Sequence, residues 1–281
     1  MNLIKKFFTN LLVLSVLISL PVLAIAQTGN NTSKVNPQMG LGIGLGKNAA
    51  NCPFGAYGSL ASFVSRMPAQ PLSLKEKKGL LKMTEEEKLA RDVYKALYKK
   101  WKTPVFKMIA QAEQRHLETM EALLKKYNIK NPVKGLKEGQ FRSNKMKSMY
   151  KKLINSGEKS LIDALKVGDT IEDLDIHDLK MELKQTDNQD VKVAYQNLLK
   201  GSRNHMRAFT RMLLRAGANY TPKYISQKEF NNIINTPIER GLYNAMGYPM
   251  FRHPMRRPRR RPMGIRRGGG RGGASRGRSR M

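Results

Sequence analysis

Between Leu72 and Gly217 apolar residues recur at spacings of three and four, the period of a helix with one buried face. Gly and Pro, frequent on both sides of this stretch, become rare within it. The pattern predicts four main helices. The first starts at Thr84, which with Glu87 has the spacing of a capping box, and an earlier turn from Leu74 leads into it. The second runs from Pro104, favourable in a first turn, to Tyr127. The third follows Ser160 as far as Gln185, and the fourth runs from Asn188 to Gly217, a residue suited to a helix C-terminus. A shorter helix, Asn144 to Asn155, falls in the connection between the second and third. No alternating pattern of strand type competes. The expected fold is therefore all-α: an up-and-down four-helix bundle with an extra short helix in the helix 2–3 connection.

The inward stripes carry polar interruptions. The first helix presents Leu80, Met83, Glu87, Ala90, Tyr94, Leu97 and Trp101, and the second Ile109, Glu113, His116, Met120, Leu123 and Tyr127. The third presents Leu161, Leu165, Gly168, Glu172, Asp175 and Leu179, and the fourth Val191, Tyr195, Leu198, Ser202, His205, Phe209 and Met212. Each interruption falls in mid-helix between apolar layers. Residues three apart share a helix face, so Glu113 with His116, Glu172 with Asp175, and Ser202 with His205 each point into the bundle, and Glu87 joins them. Carboxylates gathered in a bundle core cannot all stay ionised without compensation. Arg91, Arg115 and Arg203 occupy positions that favour the flanks. Cations held by carboxylate oxygen and imidazole nitrogen are the other remedy, and that donor set suits iron or manganese, with zinc as a further choice. A lone Glu or His on such a helix is more often solvated, as expected of Glu118 and Glu121. The coincidence on four helices favours a metal site.

Charge and cysteine narrow the chemistry. The 281 residues hold 52 Lys+Arg against 21 Asp+Glu, a net charge of +31, which points to polyanionic partners rather than to a fold. Aromatic residues at 7% argue against a base-stacking nucleic-acid binder. Cys52, the one cysteine, excludes an intrachain disulfide framework and a cysteine-rich zinc site. At the N-terminus, Lys5 and Lys6 precede the apolar run "LLVLSVLISLPVLAIA", and Ala24-Ile25-Ala26 fits a small-x-small cleavage site. This predicts an export signal over 1–26 and a periplasmic or secreted mature chain without a transmembrane segment. Residues 27–66, rich in Gly, Asn, Ser and Pro, are expected to form a flexible linker. The helical bundle is assigned to 67–226, a short helical extension to 227–245, and a disordered basic tail to 246–281.

At these motifs the sequence resembles a known superfamily. "EKLARDVY" (Glu87 to Tyr94), "EQRH" (Glu113 to His116) and "EDLD" (Glu172 to Asp175) are similar to the carboxylate and Glu-x-x-His patterns of rubrerythrins and other ferritin-like diiron proteins. "SRNH" (Ser202 to His205) aligns with the fourth-helix Glu-x-x-His, but Ser202 stands where that pattern has a bridging glutamate. More closely, "EEEKLARDVY", "AEQRH", "IEDLDIHDL" and "GSRNHMRAF" resemble the DUF2202 family of ferritin-like domains, over about Leu80 to Ser226. The resemblance implies one or two iron or manganese ions held by Glu87, Glu113, His116, Glu172, Asp175 and His205. It implies Tyr94 close to the metals, and chemistry with dioxygen or peroxide. The rubredoxin centre of rubrerythrins needs four cysteines, which this chain lacks, and a long basic tail fits poorly with a closed storage cage.

The tail itself resembles an RGG-type segment. Arg256, Arg257, Arg259, Arg260, Arg261, Arg266 and Arg267 can pair with the phosphates of lipopolysaccharide or extracellular nucleic acid. Met246, Met250, His253 and Met255 form a weaker signal for copper(I). Two functional readings follow: an exported protein holding metal in its bundle and handling metal or oxidant, or a metal-free scaffold whose basic surface binds envelope polyanions. Both are compatible with a homodimer.

Overall fold

Seven helices and no strand form among residues 58–250, the part of the chain described by the computed structural model. They run in the order α1 (Leu60–Arg66), α2 (Leu74–Trp101), α3 (Pro104–Lys126), α4 (Asn144–Gly157), α5 (Leu161–Leu183), α6 (Gln189–Arg215) and α7 (Gln227–Ile234). The chain divides into two units, Met1–Gly46 and Lys47–Met281, and every described residue belongs to the second. The segment expected to be an export signal, Cys52 and the seven tail arginines lie outside the described residues. None of the described helices is long and apolar enough to cross a membrane.

The long helices α2, α3, α5 and α6 build the bundle. Helix α2 packs on α3 and α5, and α6 packs on α5 and α3. Only Lys102 and Thr103 separate α2 from α3, and Lys102 takes a left-handed conformation (φ 53°) that reverses the chain ahead of Pro104. Each predicted stripe is inside: Leu80, Met83 and Leu97, Ile109 and Leu123, Leu165 and Leu179, and Val191 and Leu198 are buried. Trp101, Tyr127 and Met212 are half-buried, and Leu161, at the first position of α5, is exposed at 36% because it precedes the turn that enters the core.

Helix α2 begins ten residues before the predicted start at Thr84. Ser73 and Glu76 have the same Ser/Thr-x-x-Glu spacing, and they cap here: Ser73 Oγ accepts from Glu76 N and Glu76 Oε2 accepts from Ser73 N. Thr84 lies within the helix, its hydroxyl donating to the Leu80 carbonyl at 2.7 Å. Glu76 also ties this end of α2 to the α5–α6 connection, accepting from Thr186 Oγ1 at 2.6 Å and Asn188 Nδ2 at 2.9 Å. Burial works against its charge, but the donors at Thr186, Asn188 and Ser73 outweigh it and hold the carboxyl at about 2. A depressed folded-state pKa gives stability that is complete above the unfolded value of 4.5 and is lost as pH falls toward 2. Glu76→Gln should therefore flatten the acid limb of the melting temperature between those two values. A variant whose melting curve falls with acid as steeply as wild type would show that the carboxylate does not act there.

Helix α1 falls within the segment expected to be a linker: Ser59 caps it by accepting from Ser62 N, and Val64 packs into the core. The segment after α7 continues along α6. Asn197 binds both the N–H and the carbonyl of Tyr243, Lys200 donates to Gly241 O, Asn204 joins Glu239, and Arg207 donates to Ile233 O and Thr236 O. These four side chains lie along one face of α6. The chain then turns at Gly247 (φ 80°) and returns, with Met250 N on Leu242 O, so the first residues assigned to the tail are ordered.

Candidate metal centre

Halfway along the bundle the four helices bring their polar interruptions together. Helix α2 supplies Glu87, α3 supplies Glu113 and His116, α5 supplies Glu172 and Asp175, and α6 supplies His205. Glu87, Glu113 and Glu172 are at most 1% exposed. Glu113 stands between the imidazoles, with Oε2 at 2.7 Å from His116 Nδ1 and Oε1 at 2.7 Å from His205 Nδ1. Glu87 Oε2 is 3.3 Å from His116 Nδ1, and Glu172 Oε2 is 3.5 Å from His205 Nδ1. The imidazole rings are inclined at 29° to each other, with centroids 5.6 Å apart.

Two triads result, Glu87–Glu113–His116 and Glu113–Glu172–His205, each with one donor atom per residue inside 4.8 Å. Glu113 belongs to both. The fit to a metal rests on atoms without hydrogen-bond partners. Both oxygens of Glu87, Oε1 of Glu113, Oε2 of Glu172 and Nδ1 of His205 are buried and have none. His205 Nδ1 and Glu113 Oε1 are close in space yet not aligned to share a proton, as expected of donors that converge on a common point. Oxygen and imidazole donors of this kind suit first-row divalent ions.

The electrostatics show how the groups hold one another. Burial pushes Glu87 well above the usual carboxylate range, and the adjacent Glu113 adds to the effect. Burial would do the same to Glu113, but His205 and His116 hold it well below that range. His205 is raised well above the usual imidazole value, since Glu113 and Glu172 overcome its burial. The expected flanking positions of the arginines are also seen: Arg91 pairs with Asp92 and Gln114, Arg203 pairs with Glu239, and Arg115 is exposed.

Tyr94 lies two turns along α2 from Glu87. Its hydroxyl donates to Glu172 Oε1 at 2.6 Å, leaving Oε2 facing His205. Its ring packs with Phe106 and Phe209, with centroids 6.5 Å and 5.3 Å away, and closes the centre on that side. Gly168 makes room for this cluster, because a Cβ there would come within 2.7 Å of the Phe209 ring.

Asp175 is buried beside the triads and feels Glu87 and Glu172, but it belongs to neither donor set. Ser202 is buried and supplies no ligand; its hydroxyl donates back to the Leu198 carbonyl at 3.3 Å. The residue that matters at this level of α6 is its neighbour Gly201, whose Cβ would sit 2.4 Å from His116 Cε1. A hydrogen there lets the His116 ring lie against α6. The apolar-stripe reading passes over Gly201, and the "GS" pair before "RNH" is the signal that marks it. His177, expected at the surface, is partly exposed and contacts Asp178 at 2.9 Å.

Comparison with known proteins adds relatives to this geometry. Residues 76–237, more than half of the chain, match the family model described as an uncharacterized protein domain, DUF2202. The uncharacterized protein MJ0754 of Methanocaldococcus jannaschii is 55% identical over 183 residues, which cover 65% of this chain and 99% of that protein. The crystal structure of the hypothetical protein MJ0754 from Methanococcus jannaschii aligns with a TM-score of 0.61 at 57% identity, over 62% of this chain and 99% of that one.

Proposed function

This chain belongs to the DUF2202 family, and from its own site we propose a ferritin-like protein that holds two divalent ions, iron or manganese, one in each triad, for metal or oxidant handling. The observation that carries the proposal is the pair of triads sharing Glu113, with their buried donor atoms lacking hydrogen-bond partners. Glu87 and His116 would hold one ion, Glu172 and His205 the other, and Glu113 would span both. Asp175 would add negative charge beside them. Bound there, the ions would supply binding and polarisation of dioxygen or peroxide.

The protein contributes orientation and dryness. Tyr94 fixes one oxygen of Glu172 and so directs the other toward His205. Tyr94, Phe106 and Phe209 keep water from one end of the centre, which strengthens each electrostatic contact inside it. Gly201 sets how deeply His116 enters. With Ser202 in place of a carboxylate, α6 contributes only His205, which leaves the shared role to Glu113.

Anaerobic titration of the full-length protein with Fe(II), followed by desalting and metal analysis, tests the reading. Wild type should retain two ions per chain more than the Glu113→Ala/His116→Ala double variant. The double variant also serves as the background for any ion held by the methionine- and histidine-bearing tail. Equal metal content in the two proteins would overturn the proposal.

A further inference from the structure

One row of buried acids is used by neither triad. Below Glu172 on α5, Asp175, Asp178 and Glu182 follow at helical spacing on the side that meets α2, where Glu86 faces them. The inner pair is the more deeply buried: Glu172 is 0% exposed and Asp175 3%, against 9% for Asp178 and 8% for Glu182. At the outer end Asp178 contacts Lys82 Nζ at 3.0 Å and His177 Nδ1 at 2.9 Å, and Lys82 also reaches Glu182 at 3.6 Å. Glu86 lies within hydrogen-bonding reach of Asp178, and Asp175 feels the charges of Glu87 and Glu172 on one side and Glu86 on the other. The row leads from the half-exposed Lys82 and His177, through buried Asp178, Glu86 and Asp175, toward the level of the triads.

Two atoms in this row point to a ligand. Glu86 Oε2 and Asp175 Oδ2 are buried and have no hydrogen-bond partner, and both residues are only 3% exposed. A buried carboxylate oxygen without a donor is costly, and a structural ion pair would have supplied one. Carboxylate oxygens are the donors that a hard divalent cation takes. The chain's net charge of +31 repels cations from most of its surface, so an approach lined by acids is where a divalent ion can come near.

We propose that Asp178, Glu86 and Asp175 form the path by which divalent cations pass between solvent and the centre, with Lys82 as the group that must swing aside at its mouth. The inference rests on the reading of the triads as a metal centre. Lys82 mimics the cargo: its ammonium occupies the outermost carboxylates, and its side chain is 33% exposed, free to turn into water.

Stopped-flow mixing of Co(II) with the full-length protein, followed by the visible absorption of bound Co(II), measures loading. The Glu113→Ala/His116→Ala variant supplies the background. Glu86→Gln and Asp178→Asn should load several-fold more slowly than wild type, and Lys82→Met faster. Wild-type rates in all three variants, as expected if ions enter beside the 13%-exposed His116 side chain, would overturn the path. Should Glu86→Gln fail to fold, judged by circular dichroism, the Asp178 and Lys82 variants at the outer end of the row decide alone by their opposite signs. A wild-type signal no larger than the background overturns the metal reading itself, a result distinct from unchanged rates.

Discussion

Glu113→Ala should retain no ion at the centre, whereas His116→Ala and His205→Ala should each retain one. The asymmetry comes from the sharing of a single carboxylate. Its oxygens stand 2.7 Å from one imidazole and 2.7 Å from the other. Removing either histidine leaves the opposite triad whole. Removing Glu113 leaves each ion with one carboxylate and one imidazole, a pair too few to compete with water for a divalent ion that favours six oxygen or nitrogen donors. Metal content per chain after anaerobic Fe(II) loading reads this directly. Thermal melting gives a second readout, because a ligand that binds only the folded state stabilises it by about 2.7 kcal/mol at a concentration a hundredfold above its dissociation constant. Wild type should gain that stability with Fe(II) and Glu113→Ala should not. Two ions retained by Glu113→Ala would dissolve the idea of a shared ligand.

The residues that make this experiment possible were visible as interruptions of apolar stripes. Glu87, Glu113, His116, Glu172 and His205 stand out because each breaks a periodic seam in mid-helix, and the seam fixes the direction in which they point. Asp175 shares that seam but serves the space beside the triads, since its place in the stripe specifies the helix face and not the distance to a partner. Gly201 and Glu86 were hidden for a different reason. Both lie just off the seam, where a helix is normally wet. Here His116 presses on Gly201, and Glu86 is buried with Asp178 of α5 beside it.

Helix α5 shows the same limit on a larger scale. It is covered by α2, α4 and α6, and by the chain beyond α6, so it buries acids on faces that a single-stripe reading leaves to solvent. Asp173 accepts from Tyr220 Oη and from the backbone N–H groups of Lys223, Tyr224 and Ile225, and so pins that loop to the bundle. Asp169 accepts from Thr210 Oγ1. Their partners are backbone groups and hydroxyls some fifty or forty positions away, and no local period announces them. What the sequence does show is density: Asp169, Glu172, Asp173, Asp175 and Asp178 fall within one short segment of a strongly basic chain. The start of α2 was ambiguous on similar grounds, because two capping patterns, Ser73 with Glu76 and Thr84 with Glu87, occur on one continuous helix. The earlier one caps because Thr186 and Asn188 come from the α5–α6 connection to meet Glu76.

Asp92→Ala should destabilise the protein by about 3–5 kcal/mol, the cost of leaving a buried charge without its partner. Lys88 and Asp92, one turn apart on α2, have side chains 1% and 0% exposed and form an ion pair. The pair holds the long α3–α4 connection: Lys88 Nζ donates to Lys137 O at 2.9 Å and lies 4.5 Å above the Phe141 ring, and Asp92 accepts from Gly139 N at 3.0 Å. Asp92 is the hub, since it also accepts from Arg91 Nε at 2.9 Å and Nη2 at 2.7 Å. Its loss strands the Lys88 ammonium and the Gly139 N–H together. Lys88→Met should cost less, because Arg91 still neutralises Asp92. The double variant Lys88→Met/Asp92→Ala removes both charges and should recover part of the loss, as hydrophobic replacements of buried pairs do. Urea unfolding of the four proteins yields the coupling energy of the pair. A coupling below about 0.5 kcal/mol, within the additivity of independent sites, would mean that the connection is held by Phe141 packing and not by the buried charges.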